Sequence, residues 1–280
     1  MISPMTGWIL PPANHRVRIP TVVGLNVTRK ESHRSNTTIM EAYAAEPSRQ
    51  TLHKISDELR SLGGKFDLRV MASHGGTIGW KAKELARTLV SGPIGGVIGS
   101  KYLGEQLGYE NIACSDIGGT SFDMALITKG EFAIQKDPAM ARLLVSLPLV
   151  AMDSTGAGAG SFVRIDPYSN SIKLGPDSAG YKVGVCWPES GIDTVTVSDC
   201  HVILGYLNPD NFLGGSIKLD VARARVAVEE QVAKPLGLSV EEAAAGVIEL
   251  LDQSLKGHLR SMINAKGYNP LDFVCFSYGG

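Results

Sequence analysis

Ser115-Asp-Ile-Gly-Gly-Thr-Ser-Phe-Asp123 joins two short apolar runs, residues 111–114 before it and 122–128 after it. Gly118-Gly119 is a two-residue hairpin signal, because both positions tolerate φ > 0. A tight turn of this kind directs consecutive backbone N–H groups inward as a small nest that suits phosphate oxygens. Thr120 and Ser121 add hydroxyl donors beside it. Asp116 and Asp123 flank the nest, and two carboxylates repel a bare phosphate unless a divalent cation intervenes. Mg²⁺, which keeps several waters and sits between carboxylates and phosphates, is the natural candidate. The bland alternative is an ordinary hairpin with a polar turn. Two flanking carboxylates and two internal hydroxyls favour a phosphate-binding hairpin.

The 280 residues are enough for one large domain or two small ones. Hydrophobic residues at 44% and charged residues at 20% are ordinary for a soluble globular protein. A net charge of −1 gives no general attraction to nucleic acid or anionic membrane. No apolar run reaches the length of a membrane span, and the N-terminus lacks the basic-then-apolar pattern of a signal peptide. Cys114, Cys186, Cys200 and Cys275 are scattered, with no CxxC pair, which points to reduced thiols in a cytoplasmic protein.

Prolines break residues 1–30, which read as an irregular lead-in before a domain over residues 31–280. Ser32 or Ser35 caps one expected helix. Ser48 caps a second, with Leu52, Ile55, Leu59 and Leu62 as its apolar stripe and Gly63-Gly64 as its stop. A strand over residues 67–72 leads to the loop Ser73-His-Gly-Gly-Thr77. A helix-like segment follows over residues 81–89, and Ser91-Gly-Pro-Ile-Gly-Gly96 opens a further helix to about Leu107. After the central hairpin come a strand over residues 147–152, the glycine loop Ser154-Thr-Gly-Ala-Gly-Ala-Gly-Ser161, and a hairpin across residues 166–170. Residues 175–193 read as a long loop of the kind that carries function. Ser198 or Asp199 caps a short helix, and two more run over about 219–232 and 239–265. Ser239 with Glu242 makes a capping box for the last. A strand over residues 273–277 leads into Gly279-Gly280, a turn that needs residues after it, so a piece of a longer polypeptide is expected.

The string Asp-x-Gly-Gly-Thr-x-x-Asp between strands resembles the second phosphate motif of the actin, sugar-kinase and Hsp70 ATPase superfamily. Ser91–Gly96, Asp116–Asp123, Gly156–Ser161, Gly175–Gly180, Val195–Asp199 and Phe276–Gly280 occur in an order that resembles the hydantoinase A/5-oxoprolinase family. That family includes ATP-dependent N-methylhydantoinases, 5-oxoprolinases and the acetone and acetophenone carboxylases. Ser121-Phe122-Asp123, where hydantoinases more often have Ser-Thr-Asp, tilts the reading slightly towards the ketone carboxylases. The resemblance implies an α/β protein with part of the actin-like ATPase (ribonuclease H-like) fold, a mixed sheet with packed helices. It implies ATP and Mg²⁺ as cofactors, with phosphates facing Asp116, Gly118, Gly119, Thr120 and Ser121. Asp116 and Asp123 are the expected metal and catalytic carboxylates. Gly156, Gly158 and Gly160 belong to the cofactor site, and Gly279-Gly280 lie against the adenosine. The implied reaction phosphorylates a carbonyl or amide oxygen of a ketone or cyclic amide, with other subunits or domains as partners.

Three departures stand out. The family's first Asp-Gly-Gly-Thr string is absent, so half of the expected cradle is missing and ATP hydrolysis by this chain alone is in question. Gly158-Ala159-Gly160 stands where Gly-Gly-Gly is usual. Asp199-Cys200-His201 replaces Asp-Ala-Asn. A non-catalytic, chaperone-like nucleotide module or a supporting fragment of a larger complex is the competing reading. Metal ligation by Asp199-Cys200-His201 with Cys186 lacks a zinc spacing, so capping and packing are favoured. His74 is an acid–base candidate or a plain loop residue. Cys114 and Cys275 read as small buried apolar residues rather than nucleophiles. Gly92, Gly95, Gly96 and Gly99 read as close packing of a soluble helix or approach to a ligand.

Overall fold

A computed structural model describes residues 30–140 and 142–279. Among them the chain forms two compact units, residues 113–124 with 153–279, and residues 30–112 with 125–152. The expected lead-in over residues 1–30 lies, but for Lys30, outside the described residues.

The first unit is built on a mixed α/β arrangement. Its sheet has the order β10 (Met152–Thr155), β4 (Phe122–Thr128), β3 (Ile112–Ile117), β13 (Val274–Gly279). Only four residues connect β3 to β4, which permits antiparallel pairing alone. Beside this sheet β11 (Ser161–Ile165) pairs antiparallel with β12 (Ile172–Ser178), so the start of the expected long loop, residues 175–178, is strand. Asp166 turns the hairpin by accepting the N–H groups of Tyr168 and Ser169 at 2.9 and 3.0 Å.

Three helices follow in this unit. The first, Val197–Ile203, carries a capping box in which Thr196, not Ser198 or Asp199, is the N-cap and Asp199 is its N3 partner. The next, Val221–Val228, is capped by Asp220 and runs on through a π-helical turn, Glu229–Ala233, to a last turn at Lys234–Leu236. The third, Val240–Ala265, starts at the expected Ser239/Glu242 capping box and buries Ala243, Ala244, Val247, Leu251 and Leu255 on one face. Val183, Cys186, Val202, Leu219 and Ala224 form an apolar core of the unit.

In the second unit the two expected helices are one, Glu31–Ser61, which passes through Pro47. Ser48 therefore caps nothing. Burial of Glu41, which accepts the N–H groups of Leu85 and Ala86 at 3.0 and 2.5 Å, anchors the helix ahead of the proline. The expected Leu52–Leu62 stripe stays largely open, with Ile55 41% and Leu62 78% exposed. The short strands β1 (Arg69–Met71) and β2 (Thr77–Gly79) make a hairpin around His74. The segment over 81–89 is helical only as the 3₁₀ turn Leu85–Thr88. A helix then spans Ser91–Leu107, as its glycine-proline start predicts. Along it the glycine in tight contact is Gly104, where a Cβ would overlap Ile112 Cδ1; Gly92, Gly95 and Gly99 face open space. Beyond Met124 β4 continues into this unit, where it pairs with β5 (Glu131–Phe132). Two further short antiparallel pairings, β6 (Ile134–Gln135) with β9 (Leu149–Val150) and β7 (Ala139–Met140) with β8 (Leu143–Leu144), and an apolar cluster of Ala86, Val145 and Leu147 complete it among the described residues.

Candidate phosphate site

Ile112, Ala113, Cys114 and Ser115 are buried along β3, and the strand delivers Asp116 half-buried at its end. The connection is closed by Gly118 N–H donating to Ser121 O at 2.9 Å, which places Gly119 and Thr120 at the tip. The expected turn needs positive φ at Gly118 and Gly119, yet neither residue has it. Their carbonyls instead tie the turn to the glycine loop. Ala159 N–H donates to Gly118 O at 3.0 Å, and Gly160 N–H to Gly119 O at 2.8 Å. Ser178 Oγ donates to the same Gly119 carbonyl at 3.1 Å. Both carbonyls of the turn are thus drawn to one side. The N–H groups of Gly119 and Thr120, in exposed residues, have no acceptor among the described residues.

Of the loop glycines, Gly158 and Gly160 are where contact is tightest. A Cβ on Gly158 would stand 2.5 Å from Gly118 O, and one on Gly160 would stand 2.7 Å from Gly119 O. Gly156 faces open space. The glycine loop therefore braces the hairpin through its packed side, which no reading of spacing could reveal. Gly279, on β13 next to β3, has φ +99°, and a Cβ there would stand 2.5 Å from Asp116 Oδ1. Gly280 lies outside the described residues.

The electrostatics distinguish the two carboxylates. Ser121 Oγ donates to Asp123 Oδ2 at 3.0 Å. Burial, and then the charge of Asp123, pushes the Asp116 carboxyl above its ordinary range. Among the described residues no three His, Cys, Asp or Glu side chains gather as a metal cage. The two carboxylates are oxygen ligands of the kind Mg²⁺ accepts, and the free N–H groups beside them are donors suited to phosphate oxygens.

A second layer holds the brace. Ser198 donates to Ala159 O through both its N–H, at 2.8 Å, and its hydroxyl, at 2.9 Å. Buried Asp199 accepts Val185 N–H at 3.2 Å, Cys186 N–H at 2.6 Å, Thr196 N–H at 2.8 Å and Thr196 Oγ1 at 2.9 Å. With its oxygens so occupied, Asp199 caps and packs, as favoured over ligation. Cys186 and Cys200 are fully buried, and desolvation first, then the charge of Asp199, drives both thiols far above the ordinary thiol range. The organising roles of Ser178 and Asp199 escaped sequence reasoning, although Thr196-x-x-Asp199 carries a legible capping-box spacing. Cys114 is buried as expected, but Cys275 is exposed, because its side of β13 is not covered by the described residues. His74 lies in the other unit, with a buried Nδ1 that lacks a partner.

These features can be set against known proteins. The family model for hydantoinase/oxoprolinase matches residues 34–280. The chain belongs to the hydantoinase/oxoprolinase family. Within it, the chain is 75% identical over 252 residues to the acetone carboxylase beta subunit of Xanthobacter autotrophicus, covering 90% of this chain and 35% of that subunit. A nucleotide-free structure of acetone carboxylase, bearing on the mechanism of ATP-dependent acetone carboxylation, superposes with a TM-score of 0.85 at 73% identity. That match covers 92% of this chain and 36% of the other. An ATP-dependent caprolactamase from Pseudomonas jessenii superposes with a TM-score of 0.71 at 32% identity, over 90% of this chain and 36% of that one. The chain thus spans about a third of the length of these hydantoinase/oxoprolinase relatives. The ordered motifs identified the family correctly, and the slight tilt towards ketone carboxylases agrees with the relative at 75% identity. Among the described residues no helix is long and apolar enough to cross a membrane.

Proposed function

We propose that this chain is the nucleotide-binding part of an ATP-dependent ketone carboxylase, working in the cytoplasm with further subunits or segments. Residues 31–280 act in it as a domain of the actin-like ATPase fold. The observation that carries the reading is the tip of the β3–β4 turn. Gly119 and Thr120 present unpaired N–H groups, while their carbonyl side is braced by Ala159, Gly160 and Ser178. Such preorganised donors stabilise phosphate charge without reorganising during the reaction.

In this reading the N–H groups of Gly119 and Thr120 and the hydroxyl of Thr120 hold the phosphate chain of ATP, with the Ser121 hydroxyl joining them when it turns from Asp123. Asp116 and Asp123 hold Mg²⁺ directly or through water, and the ion supplies charge neutralisation there. Gly279 leaves room for Asp116 to stand at the strand end. These residues would hold the γ-phosphoryl in line with the oxygen of a ketone enolate that has already lost its proton, so that the bond to ADP could break as the new P–O bond forms. The protein's contribution is positioning and electrostatic complementarity, which dominate phosphoryl transfer. The 75% identity to an acetone carboxylase subunit supports a small ketone over a cyclic amide.

Calorimetric titration of Mg-ATP and Mg-ADP into the chain, beside Asp116→Asn, tests the reading. Binding by the native chain that is lost in the variant is expected. Equal binding by both removes the hairpin from the site, and no binding by the native chain removes nucleotide binding from this chain.

A further inference from the structure

Gly180 stands against the tip of the turn. Its carbonyl oxygen is 3.3 Å from where a Cβ on Gly119 would lie, and Thr120 Cγ2 is 3.8 Å from the corresponding position on Gly180. From Gly180 the chain makes a single 3₁₀ turn, Gly180–Lys182. It then makes a three-residue turn centred on Val183, with φ 61° and ψ −75°. Gly184 N–H donates to Lys182 O at 2.7 Å across it. This is a γ-turn of the strained, positive-φ kind, and a β-branched residue is the least suited to it. The surroundings impose it. Ala179 N–H donates to Gly160 O at 2.9 Å, and Thr196 Oγ1 donates to Val183 O at 3.1 Å. A Cβ on Gly184 would collide with Thr196 Oγ1. Strain held in this way, beside a binding turn, positions something.

What it positions is Tyr181 and Lys182, both exposed. Lys182 is the only lysine or arginine in the stretches that build the site, residues 115–123, 154–161, 178–186, 195–199 and 274–279. Its ammonium has no ion pair or hydrogen bond among the described residues. The site it borders carries two carboxylates, and those stretches offer no other lysine or arginine. We propose that Lys182 contacts the phosphate oxygens of the bound nucleotide, and that the strained turn at Val183 fixes it there. A lysine serves this purpose as a point charge on a flexible stem, aimed by its backbone.

The proposal rests on the phosphate reading of the β3–β4 turn, and the two fail differently. Mg-ADP is titrated into the whole 280-residue chain as native, Asp116→Asn, Lys182→Gln, Lys182→Arg and Tyr181→Phe, with melting temperatures recorded for each. Lys182→Gln is expected to weaken binding at least about ten-fold, as loss of a charge-assisted hydrogen bond predicts. Lys182→Arg is expected to recover most of the loss, and Lys182→Gln to flatten the salt dependence. Lys182→Gln binding like the native chain while Asp116→Asn loses binding overturns the role of Lys182 and leaves the turn as the phosphate site. Equal weakening by Lys182→Gln and Lys182→Arg overturns it as well, because charge is then not what matters. No binding by the native chain overturns both readings.

Discussion

Gly279 occupies the position from which any side chain would strike Asp116. Its would-be Cβ lies 2.5 Å from Asp116 Oδ1 and 2.7 Å from Ile117 O, and its φ is +99°. Sheet neighbours β3 and β13 are thereby locked at the point where β3 hands its carboxylate to the turn. Gly279→Ala meets steric and backbone strain together. It should lower stability by about 1–3 kcal/mol and weaken nucleotide binding, read by urea denaturation and by Mg-ADP titration.

The glycine loop supplies its own control. Gly158→Ala places a methyl against the carbonyl of Gly118, which is backbone and cannot swing aside. Gly156→Ala meets nothing within 4 Å. The first substitution is expected to displace the turn and abolish Mg-ADP binding, and the second to leave binding unchanged. Parallel titrations of the two variants check this, and equal behaviour would contradict the bracing role.

Asp199 satisfies three buried backbone N–H groups and the Thr196 hydroxyl at once. Asp199→Ala leaves those donors without an acceptor, at about 3 kcal/mol or more. Asp199→Asn does not restore the set, because one carboxylate oxygen becomes an NH₂ facing N–H groups. Both variants should show a lower denaturation midpoint, with Asn no more than partly better than Ala.

Asp166 gives a pH signature far from the site. The Lys173 ammonium, then the N–H groups of Ser169 and Tyr168, hold its carboxyl well below the usual carboxylate range. A carboxyl with a depressed folded pKa contributes stability above its unfolded pKa of about 3.9 and loses it as pH falls towards the folded value. The stability difference between native chain and Asp166→Asn should therefore be constant above about pH 5 and shrink below about pH 4. Denaturation midpoints measured across that range read it directly.

Local signals were legible where local physics decides. The capping box at Ser239/Glu242 and the turn residue Asp166 satisfy backbone groups within a few residues, Pro93 lacks an N–H that the first turn would leave unpaired, and each lies where its spacing predicts. The cap expected at Ser48, just after Pro47, failed for the opposite reason. The proline's local cost of about 3 kcal/mol is outweighed by packing at Glu41 and beyond, so one helix runs where two were expected.

The sequence by itself determined the family, the placement of the glycine turn between two strands, and the residue types that surround it. Those follow from an ordered set of short motifs, each readable without its neighbours in space. Only the tertiary structure decided what the glycines are for. Gly118 and Gly119 keep negative or extended φ, Gly158 and Gly160 make room for their carbonyls, and Gly279 makes room for Asp116. Close approach is a relation between segments about 40 to about 160 residues apart, and no period or propensity within one segment encodes it. The same holds for Val183, whose strain exists only because Gly160, Thr196 and the turn confine it from outside.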